Sequence, residues 1–240
     1  MTLPGSAFLA LWNDRAETRD DYEAWHSREH IPERLGVPGI LAARRYVSGK
    51  GPLPPYFTLY PLSDLKVLDS TEYRTIVNRP TEWSLSMRPA LTHMYRQGCD
   101  TSFSIGAGIA GNLAAAVLRR SEGELGLEKL AEIVENESVS ALHVGTVRSI
   151  APLAFESRRD QHLPQGDAIL LVEMFDTEGV DNSLPRFDEI VKDSGFGRIL
   201  DWTIYRLALA LDTDEAANAL PLRQELAASQ VHRVRAHSGD

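Results

Sequence analysis

Between Asp20 and Gly39 the chain reads DDYEAWHSREHIPERLGVPG, and this stretch concentrates side chains able to move a proton or hold an ion. His26 and His30 stand about one helical turn apart, with Tyr22, Trp25, Glu29 and Glu33 beside them. At 100° per residue these six positions fall within an arc of about 140°. That arc must also carry the packing surface of the helix. Tyr22 and Trp25 supply packing area while keeping a polar tip, but two imidazoles are poor filler.

His30, in the last turn before Pro32, suits a general acid or base. Imidazole titrates near neutral pH, and the carbonyl end of a helix favours its charged form. The plainer role is a histidine that caps the helix or bonds a carbonyl. His26, one turn earlier, would orient His30 or sit at the rim. The run His26-Ser27-Arg28-Glu29-His30 also matches H-x-x-E-H, in which two histidines on one helical face hold zinc and the glutamate acts as base. Against a metal, no acid downstream is marked as a third ligand. Pro32 also cannot donate to the fourth carbonyl back, and is expected to stop or kink the helix. No single histidine is marked as an axial haem ligand. The expectation is a site with no metal and no cofactor, in which His30, His26 and Tyr22 are catalytic.

The following strands offer partners. Alternation along Arg44-Arg45-Tyr46 sends Arg44 and Tyr46 to one face and Arg45 to the other. An arginine turned into a pocket would clamp a carboxylate or enolate, and one paired with an acid at a sheet end would be structural. Tyr56 and Tyr60 share a strand face with Thr58, while Trp83, His93 and Tyr95 come from a later helix and strand. Trp25, Arg44, Tyr46, Tyr56, Tyr60, Trp83 and Tyr95 are the substrate-binding candidates, and their aromatic character suits an apolar or aromatic small molecule. His143 and His162 are isolated and receive no role.

The elements that position these residues repeat. Ala7–Asn13, Leu41–Val47, Tyr56–Leu62 and Met94–Ser104 read as strands. Helices are expected over Asp20–Ile31, with Asp20 or Asp21 as cap, and over Asp64–Asn78. The second half gives strands Leu113–Arg119, Ser140–Ile150, Ala168–Phe175 and Ile199–Leu211, with helices Leu127–Asn136 and Leu184–Ser194. Each half is strand, helix, strand, strand, helix, strand. Such a unit makes a four-stranded antiparallel sheet with both helices on one face. The bare faces of two units are best covered against each other. Residues 1–104 and 105–211 are the expected units, followed by a tail, 212–240, with a helix spanning Leu220, Leu222, Leu226 and Val231. The glycines of Gly106-x-Gly108-x-x-Gly111 precede an apolar strand rather than a helix, and read as a linker, not a dinucleotide loop.

Several function classes are disfavoured. A formal charge of −9 argues against a nucleic-acid surface. No apolar run reaches the ~18–20 residues of a membrane span. The single cysteine, Cys99, leaves no internal disulfide and fits a reducing cytoplasm, where a buried thiol is the plain reading.

Trp25-His26-x-x-Glu29-His30-Ile31-Pro32-Glu33-Arg34, then Val37-Pro38-Gly39 leading into Arg44-Arg45-Tyr46, resembles the dimeric α/β-barrel superfamily of ferredoxin-like folds, most nearly its EthD-like branch. The resemblance implies an α+β chain of two tandem βαββαβ units whose sheets form an intrachain barrel. It also implies a pocket between sheet and helices for a small organic ligand. The chemistries it implies range over monooxygenation, isomerisation, cyclisation, decarboxylation and haem-dependent reactions, so the fold does not choose among them. Leu127–Asn136 lacks histidines, so one pocket per chain, in the first unit, is expected, with a homodimer of the fused chain as a further possibility. The function expected is a cofactor-independent lyase, isomerase or cyclase using His30 for proton transfer. A non-catalytic binding protein and a cofactor-free monooxygenase are the alternatives.

Overall fold

The computed structural model describes residues 3–15, 21–121, 125–153, 163–176 and 178–218. Eight strands form one closed antiparallel barrel: β1 (Ala7–Arg15), β2 (Ala42–Lys50), β3 (Tyr56–Leu62), β4 (Leu91–Gly106), β5 (Asn112–Arg120), β6 (Val139–Arg148), β7 (Ala168–Met174) and β8 (Phe196–Asp212). The expected α+β barrel is therefore the fold. Around the barrel the order is β1-β3-β2-β8-β5-β7-β6-β4. Read as two groups of four, each sheet runs fourth-first-third-second. The groups join through β2 with β8 and through β4 with β6. Closure removes the unpaired strand edges that two separate sheets would expose.

Alternation divides each strand between two environments. Phe8, Ala10 and Trp12 of β1, Phe57 and Leu59 of β3, Leu113, Ala115 and Val117 of β5, and Ile169 and Leu171 of β7 fill the barrel interior. The opposite residues face helices. Leu9 meets Ile31 and Leu35 on one side of the molecule, and Leu142, Val144 and Leu170 meet Leu130, Ile133 and Phe187 on the other. Because the interior is filled with side chains, space for a ligand at the helix-covered face lies between barrel and helices.

Three departures of the helices from expectation have a physical reason. Pro32 does not stop the first helix. α1 (Tyr22–Trp25) passes into a π-helical stretch, His26–His30, and then into α2 (Ile31–Leu35), with Pro32 in its first turn. The Ile31 amide donates to the His26 carbonyl, five residues back, so the widened turn takes up the irregularity just before the residue that has no N–H. Asp64–Asn78 divides into a 3₁₀ turn, Leu65–Asp69, and α3 (Thr71–Asn78), because Ser70 is extended and caps α3 by accepting from the Tyr73 amide. Leu127–Glu135 is 3₁₀ rather than α. Its apolar residues Leu127, Leu130 and Ile133 recur every third position, and three residues per turn align them on the barrel.

α4 (Glu82–Met87) follows α3, and α5 (Glu178–Asp193) covers the second half, starting earlier than expected. The glycine-rich run forms the β4–β5 connection, with Gly106 and Gly108 at φ +87° and +89°. After β8 residues 213–218 are helical. Asp212 and Glu215 cap that turn reciprocally, each accepting from the other's amide. The expected tail helix at 220–231, the cap Asp20 and His162 lie outside the described residues. Among the described residues no helix is long and apolar enough to cross a membrane.

Candidate functional site

The π stretch brings His26 and His30 onto one side of the helix with their ring centroids 5.0 Å apart. Trp25 packs against both, 5.7 Å from His26 and 4.6 Å from His30, and Tyr22 lies 5.8 Å from His26. His26 is buried, and its Nε2 lies 3.5 Å from the Thr58 hydroxyl of β3. His30 is half-buried. Both imidazoles, with Arg34, Trp25, Tyr60, Tyr73 and Asn13, line a cavity of about 40 Å³ between the helix and β1 and β3. Leu9, Leu11, Ile40, Leu91, Met94 and Leu153 give it an apolar wall.

Three side chains of the helix are fixed by α4 and its flanks. Glu29 accepts from Thr81 Oγ1 (2.6 Å) and Ser84 Oγ (2.8 Å), and Trp25 Nε1 donates to Ser84 Oγ (3.1 Å). Trp83 Nε1 donates to Asp21 (2.9 Å). The glutamate of the H-x-x-E-H run is thus engaged with hydroxyls as a tether. Among the described residues no group of three or more His, Cys, Asp or Glu side chains could hold a metal ion. A haem does not fit the site in this structure: a porphyrin needs several hundred Å³, as drug-sized ligands do, and about 40 Å³ is present.

Burial, with neighbouring charge second, sets the protonation states. Burial pushes the proton affinity of both imidazoles well below the usual range, with further lowering by Arg45 and Arg34 and, for His26, by His30. Both rings are therefore neutral at pH 7. Arg45 is 1% exposed and lies over the rings of Tyr22 and Tyr56, at 5.2 and 5.0 Å. Glu23 holds it in a bidentate pair at 3.0 to 3.2 Å. The Tyr22 hydroxyl accepts from Asn13 Nδ2 at 2.8 Å, and burial keeps it protonated.

The placement of the sequence candidates splits along strand alternation. His26, His30, Trp25 and Tyr60 meet at the cavity; Tyr22, Tyr56 and Trp83 form the neighbouring aromatic cluster with Met87. Arg44 and Tyr46 do not face this site. They point into the barrel, where both donate to Glu173 Oε1, at 2.8 and 2.7 Å. Tyr95 also packs on the interior cluster. Arg45 is the arginine on the helix side. His93 is exposed and pairs with Asp14. His143 lies on the barrel-interior side of β6, with Nδ1 at 2.7 Å from the Ser104 hydroxyl, and burial lowers its pKa to about 4. Cys99 is a buried thiol, as read.

Sequence reasoning missed Asn13, Arg34 and Tyr73 as lining residues. Asn13 carried a signal, since it closes an otherwise apolar strand, and Arg34 follows His30 at the next turn. Nothing local marked Tyr73.

No protein-family model matches the chain, and no curated protein matches it in sequence. Solved structures do match its shape. One is an anthrone oxidase-like protein, 9% identical, with a TM-score of 0.63 over 90% of this chain and 97% of that one. Another is a provisionally assigned chlorite dismutase, 11% identical, with a TM-score of 0.51 over 89% of this chain and 98% of that one. At such identities the likeness is one of fold alone: a closed eight-stranded antiparallel barrel with helices packed on its outer face.

Proposed function

We propose that the chain is an enzyme that removes a proton from a small aromatic or carbonyl-containing substrate, with His30 as the base and His26 assisting, in a fused tandem pair whose first unit carries the site. The observation that carries this reading is the pair of neutral imidazoles facing one cavity together with polar atoms that lack partners. A neutral imidazole can accept a proton at pH 7. Burial and the two arginines weaken it as a base, and the anion left on the substrate offsets that penalty by pairing with the imidazolium as it forms. Arg45 steadies the negative charge from behind His26, and Asn13 and Arg45 fix Tyr22.

The anion then has two fates. Return of the proton at another atom, or expulsion of a leaving group, gives isomerase or lyase chemistry. One-electron transfer from the carbanion to dioxygen followed by recombination forms a C–O bond, and the resulting peroxide takes up a proton and loses water to leave a carbonyl. The fold likeness to an anthrone oxidase-like protein favours testing that outcome. A non-catalytic binding protein would do neither.

The test is deuterium incorporation from D₂O, with oxygen uptake followed in parallel, over a panel of anthrones, hydroxyaromatics and 1,3-dicarbonyl compounds. The expected result is protein-dependent exchange that His30→Asn lowers by about 10² or more. Absence of exchange across the panel, or exchange within a few-fold of wild type in His30→Asn, overturns the assignment.

A further inference from the structure

Four buried polar atoms around the cavity have no hydrogen-bond partner: Arg34 Nη1, the Tyr60 hydroxyl, His26 Nδ1 and Asn13 Oδ1. Buried polar groups are almost always paired, so four orphans at one cavity call for a common partner. Two of them settle its sign. Arg34 can only donate and is positive. Tyr60 is 2% exposed, and burial raises its hydroxyl pKa, so it remains a neutral O–H donor.

The charge of Arg34 is incompletely matched. The carboxylate of Glu33 lies 3.8 Å from its Nη1, beyond hydrogen-bond reach. Burial, reinforced by Glu29 and opposed by Arg34, pushes the Glu33 carboxyl up to about 7, so much of it is uncharged at neutral pH. On the other flank Arg34 sits over Tyr73, whose ring also carries Arg96, each guanidinium 5.9 Å from the ring centre. The chain as a whole carries −9, yet this cavity is edged by guanidinium groups.

We propose that the cavity seats an organic anion, whose ionised oxygen (a carboxylate, or an ionised enol or phenol) lies between Arg34 Nη1 and the Tyr60 hydroxyl. Asn13 Oδ1, which can only accept, takes an O–H or N–H of the same ligand. At about 40 Å³ the space holds roughly three water-sized volumes, enough for a carboxylate and the carbon that bears it. The remainder of a larger ligand extends out of the cavity past His30, which is half-buried. The inference rests on the proton-transfer reading only in calling this ligand a substrate.

The test compares acids with their isosteric amides, benzoate against benzamide and acetate against acetamide, by NMR titration of the full chain. Wild type should bind each acid at least ten-fold more tightly than its amide, with shifts at Tyr60 and His26. Arg34→Gln should bring the two within about two-fold. Tyr60→Phe, a milder change that guards against misfolding of the first variant, should weaken benzoate several-fold and leave benzamide unchanged. Equal binding of acid and amide by wild type, a preference that survives Arg34→Gln, or a Tyr60→Phe protein with unaltered benzoate affinity overturns the proposal. Anion preference without deuterium exchange on any substrate would sink the proton-transfer reading alone. Exchange without anion preference would sink this one alone.

Discussion

His26 and His30 give up proton affinity to the fold, and linkage turns that into a pH dependence of stability. The unfolded chain takes up protons on both rings below about pH 6.5, whereas the folded chain does not until much lower pH. Stability contributed by the neutral rings is therefore complete above 6.5 and is lost as pH falls, by up to about 1.4 kcal/mol per unit for each ring. Glu33 works in the opposite sense. Its folded pKa of about 7 exceeds the ordinary glutamate value of 4.5, so the fold holds that proton more tightly and loses stability as pH rises between the two. Two rings outweigh one carboxyl, so the melting temperature should fall on acidification from pH 7 to 5.5. His26→Asn should flatten that slope in thermal melts at a series of pH values. A wild-type melting temperature that stays level or rises over this range would contradict buried neutral imidazoles.

At the scale of elements, the π stretch is the device that shapes the site. It sits directly before Pro32 and sets the spacing of His26 and His30. Pro32→Ala restores a donor but frees the unfolded chain, so it should change stability by no more than about 1 kcal/mol in denaturant unfolding. The same change lets the turn relax toward α geometry and should lower deuterium exchange about ten-fold or more. Unchanged exchange would detach the π stretch from function. The strands were legible because apolar runs bounded by Gly, Pro and Asp leave few alternatives, and Tyr56–Leu62 has the bounds read from sequence. The helices were less so. Pro32 carries a local preference for breaking a helix, which the packing of Ile31 and Leu35 on the barrel overrides. The three-residue spacing of Leu127, Leu130 and Ile133 was visible, but an α-helix tolerates it too. Both faces of β2 are buried, so no polarity pattern told which of Arg44 and Arg45 faces the helices. Glu173, the partner that settles it, lies 129 residues from Arg44.

For the whole molecule, that distant pair is a seam between the two halves of the barrel. Arg44 and Tyr46 come from β2, Glu173 from β7, and the Ala110 amide of the β4–β5 connection donates to Glu173 Oε2 at 3.1 Å. Glu173 is fully buried and Arg44 nearly so. Arg44→Met should strand the carboxylate and cost about 3–5 kcal/mol, and adding Glu173→Leu should recover most of that loss in denaturant unfolding, since an apolar pair avoids the desolvation of both charges. A double variant no more stable than the single one would deny the pairing. The seam holds β2 in register against β3 and β8, and β2 carries Arg45 to the helix side, where it bears on His26 and His30. The barrel thus holds a pair of neutral imidazoles beside a small cavity, ready to accept a proton. An NMR pH titration of the ¹⁵N-labelled histidine rings reads their protonation. His26 and His30 should both remain neutral to well below pH 6.5. Midpoints near 6.5 for both rings would contradict it.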